Sequence, residues 1–399
     1  MELDLIRRLS QPADTKVILC VLDGLGGMPG PRGRTELEEA RTTHLDRLVS
    51  DGCIGRTLPV GYGITPGSGP GHMALFGYDP LTYEIGRGAL ESTGIGFEIG
   101  PDDLTARGNL CTLDAAGLVT DRRAGRLPTE QTRAICEQLQ TITLPGVETF
   151  VRVVQDQRFI LVLRGPGLSD QVAETDPQRE GVPPIECTAL TPEGDRTAAL
   201  IREWVTRATS LLAGGGRANG VLLRGWSGRP KVPPFPELWK LRAAAVTVYP
   251  MYRGVARLAG MDALDGGHDI HEQIAAVKAH WDAYDFFFVH YKYTDSAGED
   301  GDFRRKCEAI EAFDQAVPEI TALGPDVLVV AGDHSTPAVM AAHSFHPVPA
   351  LVWGQHVRRD HLHHFNEVAA REGELGTIPA KELLPIAFGH AGRLAKFGA

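Results

Sequence analysis

A chain of 399 residues, 43 % hydrophobic and 23 % charged, has the balance of a soluble globular protein and the length of about two domains. That excludes a disordered, collagenous or coiled-coil chain, and a formal charge of −11 excludes the net basic footprint of nucleic-acid or polybasic membrane-surface binding. A phosphorylated substrate stays open, because a few arginines make a local anion site even in an acidic protein.

The opening residues, MELDLIRRLSQPADTK, hold no apolar targeting stretch, and no run of 18 apolar residues follows. Cys20, Cys53, Cys111, Cys136, Cys187 and Cys307 lie far apart with no C-x-x-C pair, so neither a disulfide scaffold nor a structural zinc site is expected. A cytoplasmic protein with no membrane or nucleic-acid partner fits.

In chain order, Lys16–Leu22 is a continuous apolar run that stops at Asp23-Gly24 and predicts a strand buried on both faces. Leu37–Ser50 carries the three-to-four spacing of a helix. The Gly/Pro-rich segment Gly61–His72 then leads into a short helix at Met73–Gly77. From about residue 101 to 235 the pattern changes to alternating stretches (Phe150–Val154, Phe159–Leu163) with frequent Gly, Pro and Arg, which predicts an inserted α+β domain. Beyond it, a helix at His271–Asp282, a strand at Asp285–His290, a helix at Phe303–Ala316 and strands at Asp326–Ala331 and Pro349–Trp353 resume the first pattern. The expected fold is α/β: a doubly wound, mostly parallel sheet over residues 1–100 and 236–399, with a cap over 101–235.

The chemistry gathers at strand ends, where open α/β sheets bind ligands. Asp23 follows the first strand. Its neighbours Gly24 and Gly26 begin a dinucleotide fingerprint, but Pro29 stands in place of the third glycine. Ser68 is the one hydroxyl in Pro66-Gly-Ser-Gly-Pro-Gly71, a loop without the lysine of a P-loop, set where helix N–H groups favour a phosphate or an alkoxide. Asp295 and Glu299, four apart, share a face on a helical turn, and Asp333-His334 with His343 ends another strand. Together Asp23, Ser68, Asp295, Glu299, Asp333, His334 and His343 supply ligands for two metals around one hydroxyl, the equipment of phosphoryl transfer. The tract His361-Leu-His-His364 has no convergent acid and reads as surface.

These segments, in this order, resemble the alkaline phosphatase superfamily, and within it the cofactor-independent phosphoglycerate mutases of archaeal type. The resemblance runs over nearly the whole chain. It includes Thr65–His72, Gly86–Glu91, Ala106–Asn109, Asp121–Arg126, Leu163–Ser169, Asp176-Pro177, Ala218–Gly225, His290–Asp295, Gly332–Pro337 and His343–Pro349. It implies interconversion of 3- and 2-phosphoglycerate, a step of glycolysis and gluconeogenesis, with Ser68 as the nucleophile that becomes phosphoserine. Asp23, Ser68, Asp333 and His334 would hold one divalent ion, and Asp295 and His343 the other, with no 2,3-bisphosphoglycerate required. The chain departs from the family where Glu299 replaces an expected histidine, which enriches the second site in oxygen and favours Mn²⁺ over Mg²⁺, Co²⁺ or Zn²⁺. It departs again at Gln157, where a histidine before Arg158 is more typical. Arg107, Asn109, Asp121, Arg122, Arg123, Arg126, Arg164, Arg224 and Lys292 are assigned to the small-molecule substrate, with Asp121 also the candidate general base. Two alternatives stand beside this reading: a metal-dependent phosphatase or phosphotransferase acting on another small phosphomonoester, and a non-catalytic metal- or phosphate-binding protein. Residue types alone set no oligomeric state.

Overall fold

Apolar runs without polar alternation become the central strands of a sheet covered on both faces. The computed structural model describes residues 2–214 and 216–398, with strands β1 (Val17–Leu22), β2 (Cys53–Leu58), β3 (Asp103–Leu113), β4 (Val119–Asp121), β5 (Glu148–Val153), β6 (Arg158–Arg164), β7 (Gly220–Ser227), β8 (Ala243–Thr247), β9 (Asp262–Asp265), β10 (Phe286–Tyr291), β11 (Val327–Ala331), β12 (Val348–Gly354) and β13 (Gly376–Pro379). Two compact units divide the chain, Met1–Glu84 with Val232–Ala399, and Ile85–Lys231.

The first unit holds an eight-stranded sheet in the order β13-β2-β12-β11-β1-β10-β8-β9. β11, β1, β10, β8 and β9 run parallel, and β12 runs against both its neighbours. Every residue of β1, β8, β10 and β11 is buried. Ile18, Leu22, Phe287, Leu328 and Leu351 pack with Ile310, Phe313 and Ile320 of the Phe303–Ala322 helix in one core. Burial of each such side chain is worth about 1.5–3 kcal/mol.

The helix expected over 37–50 is two helices, Glu36–Glu39 and Thr43–Asp51. Ala40 turns extended (ψ 145°), and the second helix restarts because buried Asp314 accepts hydrogen bonds from the N–H groups of His44 and Leu45. That cap comes from a residue 270 positions away, so local periodicity carried no sign of it. Among the described residues no helix is long and apolar enough to cross a membrane.

The second unit is a five-stranded antiparallel sheet, β4-β3-β6-β5 with β7 on the other side of β3. Its core packs Trp204, Ile201 and Ala198 of the Asp195–Leu212 helix against Leu104, Ala106, Phe159 and Leu161. This unit begins at 85, where the sequence put 101, because the Arg87–Gly94 helix lies on β3. A Cβ on Gly88 would stand 2.4 Å from the Thr105 carbonyl oxygen. At the other end it stops at 231 and not 235, since Tyr78 of the first unit donates a hydrogen bond to Pro233 O.

Candidate active site

The parallel strands of the first unit deliver their polar residues to one end. Asp23 follows β1, the segment Lys292–Glu299 follows β10, and Asp333-His334 follows β11. Ser68 is the first residue of the Ser68–Leu75 helix, buried at 7 % exposure, with Pro70 in the first turn where its missing N–H costs nothing. Gly71 lets this helix approach closely: an added Cβ would lie 2.3 Å from Asp333 O.

His334 is the pivot. Thr336 Oγ1 donates to Asp295 Oδ1 (2.6 Å) and so accepts from His334 Nδ1 (3.0 Å). That hydrogen bond turns the other ring nitrogen, Nε2, toward Asp23 Oδ1, Asp333 Oδ2 and Ser68 Oγ, each 3.2 Å away. Asp23 Oδ1 and Asp333 Oδ2 are buried and have no hydrogen-bond partner. Two orphaned carboxylate oxygens facing an imidazole nitrogen and a hydroxyl suit a divalent cation, and ligand atoms of Asp23, Asp333 and His334 all lie within 4.8 Å of one another. The electrostatics agree: against the effect of burial, Asp333 and Asp23 raise His334 to about 9, so the spot attracts positive charge.

A second group forms beside it. His343 Nδ1 lies 3.0 Å from Pro66 O, which orients Nε2 toward Asp295 Oδ1 (3.6 Å) and Glu299 Oε1 (3.7 Å). The rings of His343 and His334 stack with centroids 3.7 Å apart. Glu299 is the exposed member, its side chain 57 % accessible.

Residues with no role assigned from sequence complete the surroundings. Tyr252 and His290 both donate to Asp23 Oδ2, His290 from 3.2 Å, with their rings stacked at 3.6 Å. His72 Nδ1 lies 2.8 Å from Ser68 O and 3.2 Å from Asp333 Oδ2. Its position four after Ser68 on a helix was the available signal; Tyr252 had none. Burial would raise the Asp23 carboxyl, but the Lys292 ammonium, His290 and His334 hold it well below the carboxylate range. Lys292, assigned to substrate from sequence, instead bridges two acids, donating to Asp23 Oδ2 (3.0 Å) and to Asp295 Oδ2.

In the second unit, Arg107 and Arg224 are paired across β3 and β7, and Asn109 faces Arg158 across β3 and β6. Burial pushes Arg107 down to about 9; Glu91 opposes this, while Arg158, Arg87 and Arg224 add to it. Buried polar atoms here lack partners: Nε of Arg107, Arg158 and Arg224, Oδ1 of Asn109 and Oε1 of Gln157. Crowded buried cations make an anion site. Arg122 joins through Asp176, which it grips with two bonds (3.0 and 2.7 Å) and which lies 4.0 Å from Arg224. Arg123 and Arg126 are exposed on the adjoining turn.

Two further residues assigned to substrate have partners within the protein. Arg164 is committed to Asp103 through bonds of 2.6 and 2.8 Å and lies over the Phe150 ring, at the end of β6 away from this cluster. Asp121 accepts from the N–H groups of Arg123 (2.7 Å) and Gly125 (2.6 Å), bonds that organise its turn.

The chain's residues 50–215 match the model of the 2,3-bisphosphoglycerate-independent phosphoglycerate mutase family. It is 46 % identical over 400 residues to a Thermus thermophilus protein named probable 2,3-bisphosphoglycerate-independent phosphoglycerate mutase, covering 99 % of this chain and 98 % of that one. A Thermotoga neapolitana protein of the same name is 45 % identical over 396 residues, at 99 % and 98 % coverage. Among solved structures, a Pyrococcus horikoshii protein superposes with a TM-score of 0.84 at 29 % identity, covering 96 % of this chain and 99 % of that one. The cofactor-independent phosphoglycerate mutase of Thermoplasma acidophilum gives a TM-score of 0.68 at 30 % identity, with 95 % and 100 % covered. On full-length identity of this order, the chain belongs to the 2,3-bisphosphoglycerate-independent phosphoglycerate mutase family.

Proposed function

We propose that the protein interconverts 3-phosphoglycerate and 2-phosphoglycerate through phosphoserine at Ser68, with two divalent ions and no 2,3-bisphosphoglycerate. The observation that carries this reading is Ser68 Oγ, 3.2 Å from a His334 Nε2 that also faces the orphaned oxygens of Asp23 and Asp333. Asp23, Ser68, Asp333 and His334 are the residues to hold one ion, and Asp295, Glu299 and His343 the other, Mn²⁺ being favoured by the oxygen-rich second set. When bound, such ions supply positive charge that lowers the pKa of a hydroxyl and offsets charge on a transferring phosphoryl group.

Ser68 Oγ attacks phosphorus, its bond to phosphorus forming as the bond to the glycerate oxygen breaks. That oxygen takes up the proton given up by the Ser68 hydroxyl and becomes a free hydroxyl. Glycerate stays bound and reorients; its other hydroxyl then attacks phosphoserine, and the Oγ–phosphorus bond breaks to restore Ser68. The start of the Ser68–Leu75 helix, with its backbone N–H groups, is the kind of position that favours phosphoryl oxygens, which supports this reading. Arg107, Arg122, Arg123, Arg126, Arg224 and Asn109 hold the carboxylate and phosphate of the substrate, and we add Arg158 to that set. Water must be kept out between the two transfers, since its attack would give inorganic phosphate.

An enolase-coupled assay with 3-phosphoglycerate, run without 2,3-bisphosphoglycerate, tests the reading. Isomer as the main product supports it. Inorganic phosphate as the main product favours a phosphatase or phosphotransferase of the same superfamily.

A further inference from the structure

We propose that Lys306 is a positioning residue that sets the spacing of the metal-bearing strand ends through three backbone carbonyls. The inference rests on reading Asp23, Asp333 and His334 as metal ligands. Lys306 lies in the Phe303–Ala322 helix and is fully buried. Its Nζ donates to Gly24 O (2.9 Å), Gly26 O (2.9 Å) and Thr336 O (2.8 Å), which uses all three ammonium hydrogens. Gly24 and Gly26 belong to the loop that begins with Asp23, and Thr336 belongs to the loop that begins with Asp333. One side chain therefore ties both together.

Each tied residue also touches a ligand. The Gly24 N–H donates to Asp333 Oδ1 (3.1 Å), and Thr336 Oγ1 contacts both Asp295 Oδ1 and His334 Nδ1. Gly24 sits at φ +63°, and a Cβ there would meet Thr336 Oγ1 at 2.4 Å, so the two loops are already in closest approach. The negative charge facing Lys306 comes most strongly from buried Glu36 and Glu367, and in part from Asp295. The two glutamates hold the next positions of the same loops: Glu36 accepts from Ala338 N (2.6 Å), and Glu367 from Gly27 N (2.9 Å) and the Thr35 hydroxyl (2.6 Å). A buried ammonium is costly by desolvation, and a methionine of similar length would avoid that cost. What the ammonium adds is three directed bonds to two loops at once.

The test uses the metal-stripped full-length protein titrated with Mn²⁺ by calorimetry. Relative to wild type, Lys306→Met should raise the Mn²⁺ dissociation constant at least about 10-fold, whereas Phe313→Leu, a core change in the same helix, should lower the melting temperature and move that constant less than about 2-fold. Wild-type affinity in folded Lys306→Met overturns the proposal. If Lys306→Met does not fold, wild-type protein labelled with ¹⁵N-lysine decides: the Lys306 ammonium resonance should exchange slowly and shift when Zn²⁺ binds, and an unmoved resonance overturns the proposal. Failure of wild type to bind Mn²⁺ at all would overturn the metal reading itself, and this inference with it.

Discussion

Ser68 and Glu299 carry the sharpest expectations at the scale of single residues. Ser68→Ala removes the hydroxyl proposed as phosphoryl acceptor while leaving Asp23, Asp333 and His334 in place. Turnover in the coupled assay should fall at least about a thousandfold, with metal content by mass spectrometry near wild type; residual activity above about a hundredth would exclude the covalent role. Glu299 stands 3.7 Å from His343 Nε2 on the accessible side of its group. Glu299→Gln should cost one tightly held ion per chain, and Glu299→His should turn the preference from Mn²⁺ toward Co²⁺ or Zn²⁺. Two tightly held ions in Glu299→Gln would remove Glu299 from the ligand set. Asp23, Ser68, Asp333 and His334 could be picked out of the sequence because each interrupts an apolar strand or a glycine-rich loop. Tyr252 and His290 lie inside largely apolar stretches, and Lys306 follows Arg304 and Arg305 in a charged one, so the local pattern does not set these buried polar residues apart.

At the scale of elements, the turn Asp121–Arg126 and the ion pair beneath it decide how the second unit presents its arginines. Burial would raise the Asp176 carboxyl, but the bonds from Arg122, the Gln178 N–H and the charges of Arg122 and Arg224 together outweigh it and hold the group below the ordinary carboxylate range. A carboxyl whose folded pKa lies below its unfolded value adds stability above the unfolded pKa and loses it as pH falls through the folded one. Urea unfolding of wild type and Asp176→Asn should therefore differ at neutral pH and converge between about pH 4 and pH 2. A gap that stays constant over that range would show that Asp176 acts by shape alone. The strand Ala243–Thr247 was unreadable in advance because alanines favour helix, and its pairing with β10 and β9 makes it a strand. By contrast, β1, β10 and β11 declared themselves through uninterrupted Val, Ile, Leu and Phe.

For the molecule as a whole, the proposed metal ligands all lie in the first unit, so ion binding should stabilise that unit selectively. A ligand that binds only the folded state at 100 times its dissociation constant adds about 2.7 kcal/mol. Differential scanning calorimetry with excess Mn²⁺ and with chelator should show one transition that moves and one, from the unit Ile85–Lys231, that does not. Equal movement of both would mean that the units unfold together. The existence of an insert was visible as a change of hydrophobic period, while its start was missed because the glycine-rich Arg87–Gly94 helix shows no apolar stripe.

The division of the chain also orders its synthesis. The second unit is one continuous stretch, complete once residue 231 has emerged from the ribosome. The first is not: β1 bonds only to β10 and β11, so Val17 waits for Phe286 and Val327. Through that interval β1 is an unpaired apolar strand of six residues, the kind of segment that seeks other edges. Pairings of such long sequence separation fold slowly. The nascent protein thus finishes its arginine-bearing unit first and closes its catalytic sheet last, so the period of greatest aggregation hazard falls before the active site exists.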